Sequence, residues 1–304
     1  MIEKNFSHFK VKQVIIVLGG NGYIGSAVKH CADEGGVESV VISRDVFDYT
    51  DSFVLKEYLS GARASFLINC AGYTGKPNVD ACESAKYECL QGNAVLPGII
   101  REVCEELKIP WGHVSSGCIY SGRRTDGKGW AEEDEPNFSF RSPPCSFYSG
   151  TKALGEEVLE GAENCFVWRL RIPFNHKHSP RNYLQKLLNY DNLLEAENSV
   201  SHLDEFCQKC IECFTKDLEP GIYNMTNPGS ITTRQVTDWM IKEGLTCKEF
   251  NFFDSEDDFM SRAAIAPRSN CVLDTTKAEK AGIAMRPVEE AMIDSIRKMK
   301  QGRN

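Results

Sequence analysis

Two rhythms of apolar and polar positions run along this chain. Val14 to Leu18 is an unbroken apolar, β-branched run, which predicts a strand buried on both faces, as in a parallel sheet. Glycines follow, and then Ile24, Ala27, Val28 and Cys31 mark one helix face at the i, i+3, i+4, i+7 spacing. The pattern predicts further strands at Ser39 to Ile42, Phe66 to Asn69, His113 to Ser115 and Cys165 to Ile172. Between them it predicts helices over Phe53 to Leu59, over the repeat Val95, Ile99, Val103 and Leu107, and over Tyr148 to Glu160. Strands alternating with helices predict an α/β fold with a Rossmann-type, doubly wound parallel sheet. After Pro173 the alternation breaks. Helices are expected around Tyr183 to Asn189 and Asp204 to Phe214, and a short strand, Gly221 to Met225, should return to the sheet. The sequence thus reads as a nucleotide-binding domain over residues 1–173, rejoined near 221–230, with a smaller C-terminal substrate-binding lobe over 174–304. Ser121 to Pro144, rich in Gly, Pro and acidic residues, reads as a long loop ahead of Tyr148.

Composition narrows the function. The chain has 304 residues, enough for a large core, and its net charge of −8 comes without any Lys/Arg run. Nucleic acid and membrane surfaces are therefore not expected partners. Met1 to Gln13 is polar, and no apolar run approaches the roughly 20 residues of a membrane span. A cytoplasmic protein with reduced thiols is the expectation for its 13 irregularly spaced cysteines. Cys207, Cys210 and Cys213 form C-x-x-C-x-x-C, but no fourth ligand follows, and the stretch Leu203 to Phe214 is amphipathic. These three are read as core residues and no metal is expected.

The chemistry begins at Gly19-Gly-Asn21-Gly22-Tyr23-Ile24-Gly25, directly after the first strand and at the head of the first helix. Glycines there permit a tight turn and close approach of a pyrophosphate, and the helix N-terminus adds positive potential. The second strand ends Ile42-Ser43-Arg44. An acidic residue at this point would favour NAD by binding the ribose 2′-hydroxyl. Arg44 suits a 2′-phosphate instead, so NADP(H) is the expected cofactor.

Tyr148-Ser-Gly-Thr-Lys152 sets a phenol and an amine one turn apart on one helix face. A tyrosine holds its proton to about pH 10, and a nearby ammonium eases proton exchange with a substrate oxygen. Ser116, at the end of the strand before the long loop, is the candidate hydroxyl to hold a carbonyl.

These three residues and the glycine cradle resemble the extended short-chain dehydrogenase/reductases. Other stretches narrow the likeness: Asn69-Cys70-Ala71-Gly72-Tyr-Thr74-Gly-Lys-Pro-Asn-Val-Asp80, Ser116-Gly-Cys118-Ile-Tyr120, Glu133-Asp-Glu-Pro-Asn-Phe138, Pro180-Arg-Asn182, Gly221-Ile-Tyr-Asn-Met-Thr-Asn-Pro-Gly229 and Ala266-Pro-Arg268-Ser-Asn270. Together they resemble nucleotide-rhamnose synthase/epimerase-reductases and, more distantly, dTDP-4-dehydrorhamnose reductases. The likeness runs along nearly the whole chain after residue 12, and it departs from the plant enzymes around Ser121 to Gly129.

The resemblance implies conversion of a nucleotide-linked 4-keto-6-deoxyglucose to the rhamnose sugar, by epimerisation at carbons 3 and 5 and then reduction with NADPH. It adds Cys70, Ala71, Gly72, Asn93 and Pro173 to the cradle, Arg44, Tyr148 and Lys152 as cofactor-binding residues. Thr74, Asn182 and Arg268 are the implied substrate contacts. Cys118 and Lys186 match the family's epimerase positions. Beside that role stand the readings of Cys118 as a small buried residue and of Lys186 as a surface lysine. His176 and His178 are alternative acids. Arg171 and Arg268 carry the guanidinium fork that suits a diphosphate. The resemblance favours Arg268, and for Arg171 a structural ion pair stands beside that role. A reductase without epimerase activity and a non-catalytic NADP-binding regulatory subunit are the competing functions. The nucleotide base is open, and so is the oligomeric state, with a homodimer among the possibilities.

Overall fold

A computed structural model describes residues 14–302. The polar N-terminal segment Met1 to Gln13 lies outside the described residues. In chain order the elements are β1 Ile15–Leu18, α1 Tyr23–Glu34, β2 Ser39–Ile42, α2 Ser52–Ala62, β3 Phe66–Asn69, α3 Lys86–Leu90, α4 Leu96–Leu107, β4 Trp111–Ser116, α5 Phe147–Val158 and β5 Cys165–Leu170. There follow α6 Tyr183–Asn189, β6 Asn192–Leu193, β7 Glu197–Asn198, α7 Leu203–Thr215, β8 Gly221–Asn224, β9 Ile231–Thr232, α8 Thr233–Lys242, β10 Asn251–Phe252, α9 Glu256–Ala263, α10 Thr276–Lys280 and α11 Val288–Gln301.

The main sheet has six parallel strands in the order β2-β1-β3-β4-β5-β8. This is the doubly wound parallel architecture that the alternating pattern predicts. Every residue of β1 and β3 is buried, as their continuous apolar sequences require when helices cover both faces. The chain leaves β1 toward β2 and returns to β3 on its other side. A crevice therefore opens beyond the carboxyl ends of β1 and β3.

Three features depart from the sequence pattern. The helix centred on Val103 begins earlier, at Lys86, and its middle, Gln91–Val95, is a π-turn. Strand β5 stops at Leu170 rather than Ile172, because Ile172 has φ +36 and cannot extend a ladder. The strand that returns to the sheet, β8, ends at Asn224, one residue short of the expected Met225. Helix α7 packs on α1, and Phe206, Cys207, Cys210 and Cys213 are buried in the same core as β1 and β3. Among the described residues no group of three or more His, Cys, Asp or Glu side chains is arranged to hold a metal. A separate core of Phe174, Leu184, Leu187, Val236, Met240, Met292 and Ile296 fills the lobe formed by α6, α8 and α11. No helix among the described residues is long and apolar enough to cross a membrane.

One buried ion pair fastens α5 to the sheet. Arg169 on β5 meets Glu156 on α5 at 2.8 Å, with the two side chains only 3% and 8% exposed. Ser115 on β4 donates to the same carboxylate at 2.5 Å, and the Arg169 guanidinium lies over the Tyr120 ring. Replacing Glu156 with Gln strands a buried cation, so unfolding by urea should show a loss of about 3–5 kcal/mol. A variant as stable as the parent would contradict this anchoring.

Candidate active site

The crevice is lined first by the glycine turn. Gly19 has φ +74, and a Cβ there would lie 2.7 Å from the Ala71 backbone nitrogen. A Cβ at Gly25 would lie 2.4 Å from the Gly19 carbonyl oxygen. Both positions need glycine for backbone to meet backbone. Gly22 caps α1 with no side-chain hydrogen bond, and the first turn holds no acidic residue. The positive end of the helix and its N–H groups thus face the crevice unscreened. Asn21 and Gly22 are exposed there. Tyr23 and Ile24 can offer only backbone, since both side chains pack into the core under α1. The Tyr23 hydroxyl is buried without a partner, close to Asp204 and Cys207. Arg44 is exposed at the end of β2 and makes no ion pair among the described residues.

The opposite wall follows β3. The Cys70 N–H donates to the Leu18 carbonyl, and the Ala71 N–H to the Asn69 side chain. Gly72 is exposed, with Asn93 and Lys152 beneath it. Asn93 projects from the π-turn and is completely buried. Its oxygen accepts from the Tyr73 N–H at 2.9 Å and its amide donates to the Tyr73 carbonyl at 2.8 Å and to Thr151 at 3.1 Å. These bonds use up its polar atoms. Asn93 therefore shapes this wall rather than reaching a ligand. A π-turn displaces a side chain from the ordinary helical frame, which is how Asn93 faces the Tyr73 backbone.

The reacting groups meet where β4 ends and α5 begins. Ser116 caps the short turn Gly117–Ile119 and accepts from the Cys118 N–H at 3.2 Å. The Ser116 side chain also faces the Tyr148 phenol and the Cys118 thiol and favours the ionised form of each. Burial raises the Tyr148 phenol well above its ordinary value, and Ser116 opposes that rise. Lys152 is 5% exposed, and its Nζ donates to the Val114 carbonyl at 3.1 Å. Burial lowers its affinity for a proton. Cys118 is 6% exposed and its thiol is raised by burial, with Ser116 and Ser149 pulling it back. Ser149 is a residue the sequence reading missed. The helix-start signal at Ser146 places it, since Ser146 accepts from the Ser149 N–H at 3.1 Å.

Other expected residues lie further out. Lys186, on α6, has its ammonium weakened by burial and then by the neighbouring Arg181 charge. Arg181 donates to Thr74 at 2.8 Å and to the Gly75 carbonyl at 2.9 Å, tying α6 to the loop after β3. Thr74 is exposed but engaged by that arginine. Asn182 is wholly buried: it caps α6 at Leu184 and donates to the Asn175 and Lys177 carbonyls. It shapes the Pro173–Lys177 loop rather than contacting substrate. Arg268 is likewise spent, held in a two-pronged pair with Asp80 at 2.7 Å for both bonds. Arg171, expected as a diphosphate partner or half of an ion pair, makes no ion pair among the described residues. Pro173 follows the strained Ile172 and accepts from the Tyr183 N–H. His176 is half-buried and His178 exposed on the same loop.

Comparison with known proteins agrees with this fold. A family model described as the RmlD substrate binding domain matches residues 13–301. The bifunctional dTDP-4-dehydrorhamnose 3,5-epimerase/dTDP-4-dehydrorhamnose reductase of Arabidopsis thaliana is 32% identical over 289 residues, which cover 92% of this chain and 91% of that protein. The crystal structure of the L780 UDP-rhamnose synthase from Acanthamoeba polyphaga mimivirus superposes with a TM-score of 0.86 at 22% identity, covering 94% of this chain and 99% of that one. The dTDP-4-dehydrorhamnose reductase of Bacillus anthracis, solved in complex with NADP, gives 0.79 at 16% identity and covers 96% and 99%. At those identities the two structures speak for the fold. The family match spans nearly all of the sequence, and the chain belongs to the RmlD substrate-binding domain family.

Proposed function

We propose that this chain is a cytoplasmic NADPH-dependent enzyme that epimerises a nucleotide-linked 4-keto-6-deoxyglucose at carbons 3 and 5 and then reduces it to the L-rhamnose sugar. The observation that carries the reading is the place of Ser116, which accepts from the Cys118 N–H and faces both the Tyr148 phenol and the Cys118 thiol. A reducing pair and a thiol thereby address one pocket. The bifunctional name of the Arabidopsis relative supports the same reading. Thirteen free thiols suit a reducing compartment.

The residues present fit a dinucleotide. Gly19, Gly22 and Gly25 leave room for a pyrophosphate at the bare N-terminus of α1, and Arg44 is open to a 2′-phosphate. Ala71 and Gly72 form the facing wall. When bound, the nicotinamide supplies the hydride for carbon 4. Ser116 would hold the ketone oxygen, and Tyr148 would give that oxygen its proton. Burial keeps the phenol protonated, which suits a donor in the reducing direction. Lys152 lies one turn further along α5, where its positive charge favours the phenolate left behind.

For the epimerase half, the 4-keto group acidifies the hydrogens on both neighbouring carbons. Cys118 removes one as a thiolate, and Lys186 returns a proton from the opposite face. Because burial raises the Cys118 thiol, its basic form gains as pH rises through and above neutrality. The Lys186 ammonium is lowered, so its acidic form is lost toward alkaline pH. Solvent deuterium uptake by the 4-keto sugar should therefore rise and then fall as pH increases. A flat profile would count against this pair.

Two variants separate the half-reactions. Tyr148→Phe should slow NADPH oxidation by roughly 100-fold or more while deuterium uptake persists. Cys118→Ser should abolish deuterium uptake yet still reduce a ketone that is already epimerised. Both are read with NMR of the product and absorbance of NADPH, using UDP- and dTDP-linked substrates with no second enzyme present. Undiminished uptake in Cys118→Ser would refute Cys118 as the base, and an absence of uptake in the parent enzyme would leave a reductase alone.

A further inference from the structure

Arg171 is the unexplained charge in this molecule. It is 5% exposed, so it offers almost no surface to a diphosphate in the crevice. Among the described residues no carboxylate pairs with it. Its Nη2 donates to two neutral oxygens, the Asn198 side chain and the Ser269 carbonyl, and its Nε is buried without an acceptor. An unpaired buried guanidinium is expensive to keep, and a protein that keeps one usually has an anion for it.

The sheet register shows where that anion would form. Ser116 on β4 is paired with Leu170 on β5, so the next residues, Gly117 and Arg171, emerge side by side. A Cβ on Gly117 would sit 3.4 Å from the Arg171 Cδ, so glycine lets the arginine lie against the turn that bears Cys118. The segment after Arg268 locks this arrangement. The Cys271 thiol donates to the Gly117 carbonyl at 3.2 Å, and Ser269 donates to the Tyr120 carbonyl at 2.5 Å. Ile172, held at φ +36, turns the chain away immediately after the arginine.

We propose that Arg171 is a positioning residue of the epimerase half, a buried cation held in reserve for the thiolate of Cys118. Cys118 is faced by the Ser116 and Ser149 hydroxyls, the Lys152 ammonium, the Tyr148 phenol and the Cys82 and Cys145 thiols. Of these only Lys152 is cationic, and it is committed to the Val114 carbonyl. On its other side Arg171 faces Cys271, whose thiol is engaged with the Gly117 carbonyl. The Arg171 charge pulls the Cys118 proton affinity down against burial, which makes a thiolate attainable in a dry pocket. The inference rests on the epimerase reading of Cys118.

The test reads the thiol directly. Protein labelled with ¹³Cβ-cysteine is titrated by NMR, with the Cys118 signal assigned from Cys118→Ser. Arg171→Met should move the Cys118 midpoint up by about one pH unit or more, a tenfold loss of thiolate at a given pH. The rising limb of the deuterium-uptake profile should move with it. Asn198→Asp retains the guanidinium but gives it a carboxylate, and it should shift both curves in the same direction even if Arg171→Met fails to fold. A Cys118 midpoint unchanged in a folded variant would overturn the proposal. Deuterium uptake that survives Cys118→Ser would instead overturn Cys118 as the epimerase base and leave the midpoint result standing.

Discussion

The candidate site depends on the buried contact among Glu156, Arg169 and Ser115. Glu156 belongs to the helix that carries Tyr148 and Lys152, while Ser115 and Arg169 belong to the two strands whose ends carry Ser116, Cys118 and Arg171. The carboxylate bonds to both strands at once, which fixes the helix in height and rotation against the sheet. Rotamer freedom at either end would blur every distance in the pocket. A full charge with two charge-assisted donors in a dry layer gives an orientation that apolar packing alone would not impose.

With that helix pinned, adjacent parallel strands do the rest. Their carboxyl ends lie at one edge of the sheet, so residues far apart in sequence arrive as neighbours. Ser116 and Cys118 leave β4, Arg171 leaves β5, and Tyr148 enters on α5. The strained Ile172 and the Asn182 cap then shape the start of the smaller lobe and of α6, which carries Lys186. The site is thus bounded by rigid elements on the nucleotide side and by loop backbone, hydrogen-bonded at Asn175 and Lys177, on the other.

Much of this was legible in the sequence because it depends on local rules. The β-branched runs, the glycine turn and the Tyr148–Lys152 spacing each follow from backbone geometry within a few residues. What was not legible depends on partners far along the chain. Asn182 and Arg268 sit in motifs that resemble substrate contacts, yet one caps a helix and the other is bound by Asp80, 188 residues away. Spacing cannot distinguish a cap from a contact. Tyr23 lies inside the cradle motif, but its ring turns toward α7, which the first half of the sequence gives no hint of. Arg171 offered two readings; its burial speaks against a diphosphate contact, and no carboxylate among the described residues pairs with it.

The π-turn at Gln91–Val95 has a consequence for how this chain can vary. Each residue of a helix advances its face by roughly 100°. The extra residue therefore offsets α3 from α4, and Asn93 reaches the Tyr73 backbone only because of that offset. Dropping one residue from the segment would give an ordinary, well-formed helix, with Asn93 rotated off the wall it supports. This stretch is guarded against changes of length more than against changes of side chain. A single-residue deletion here would be silent in helix content and costly to the pocket.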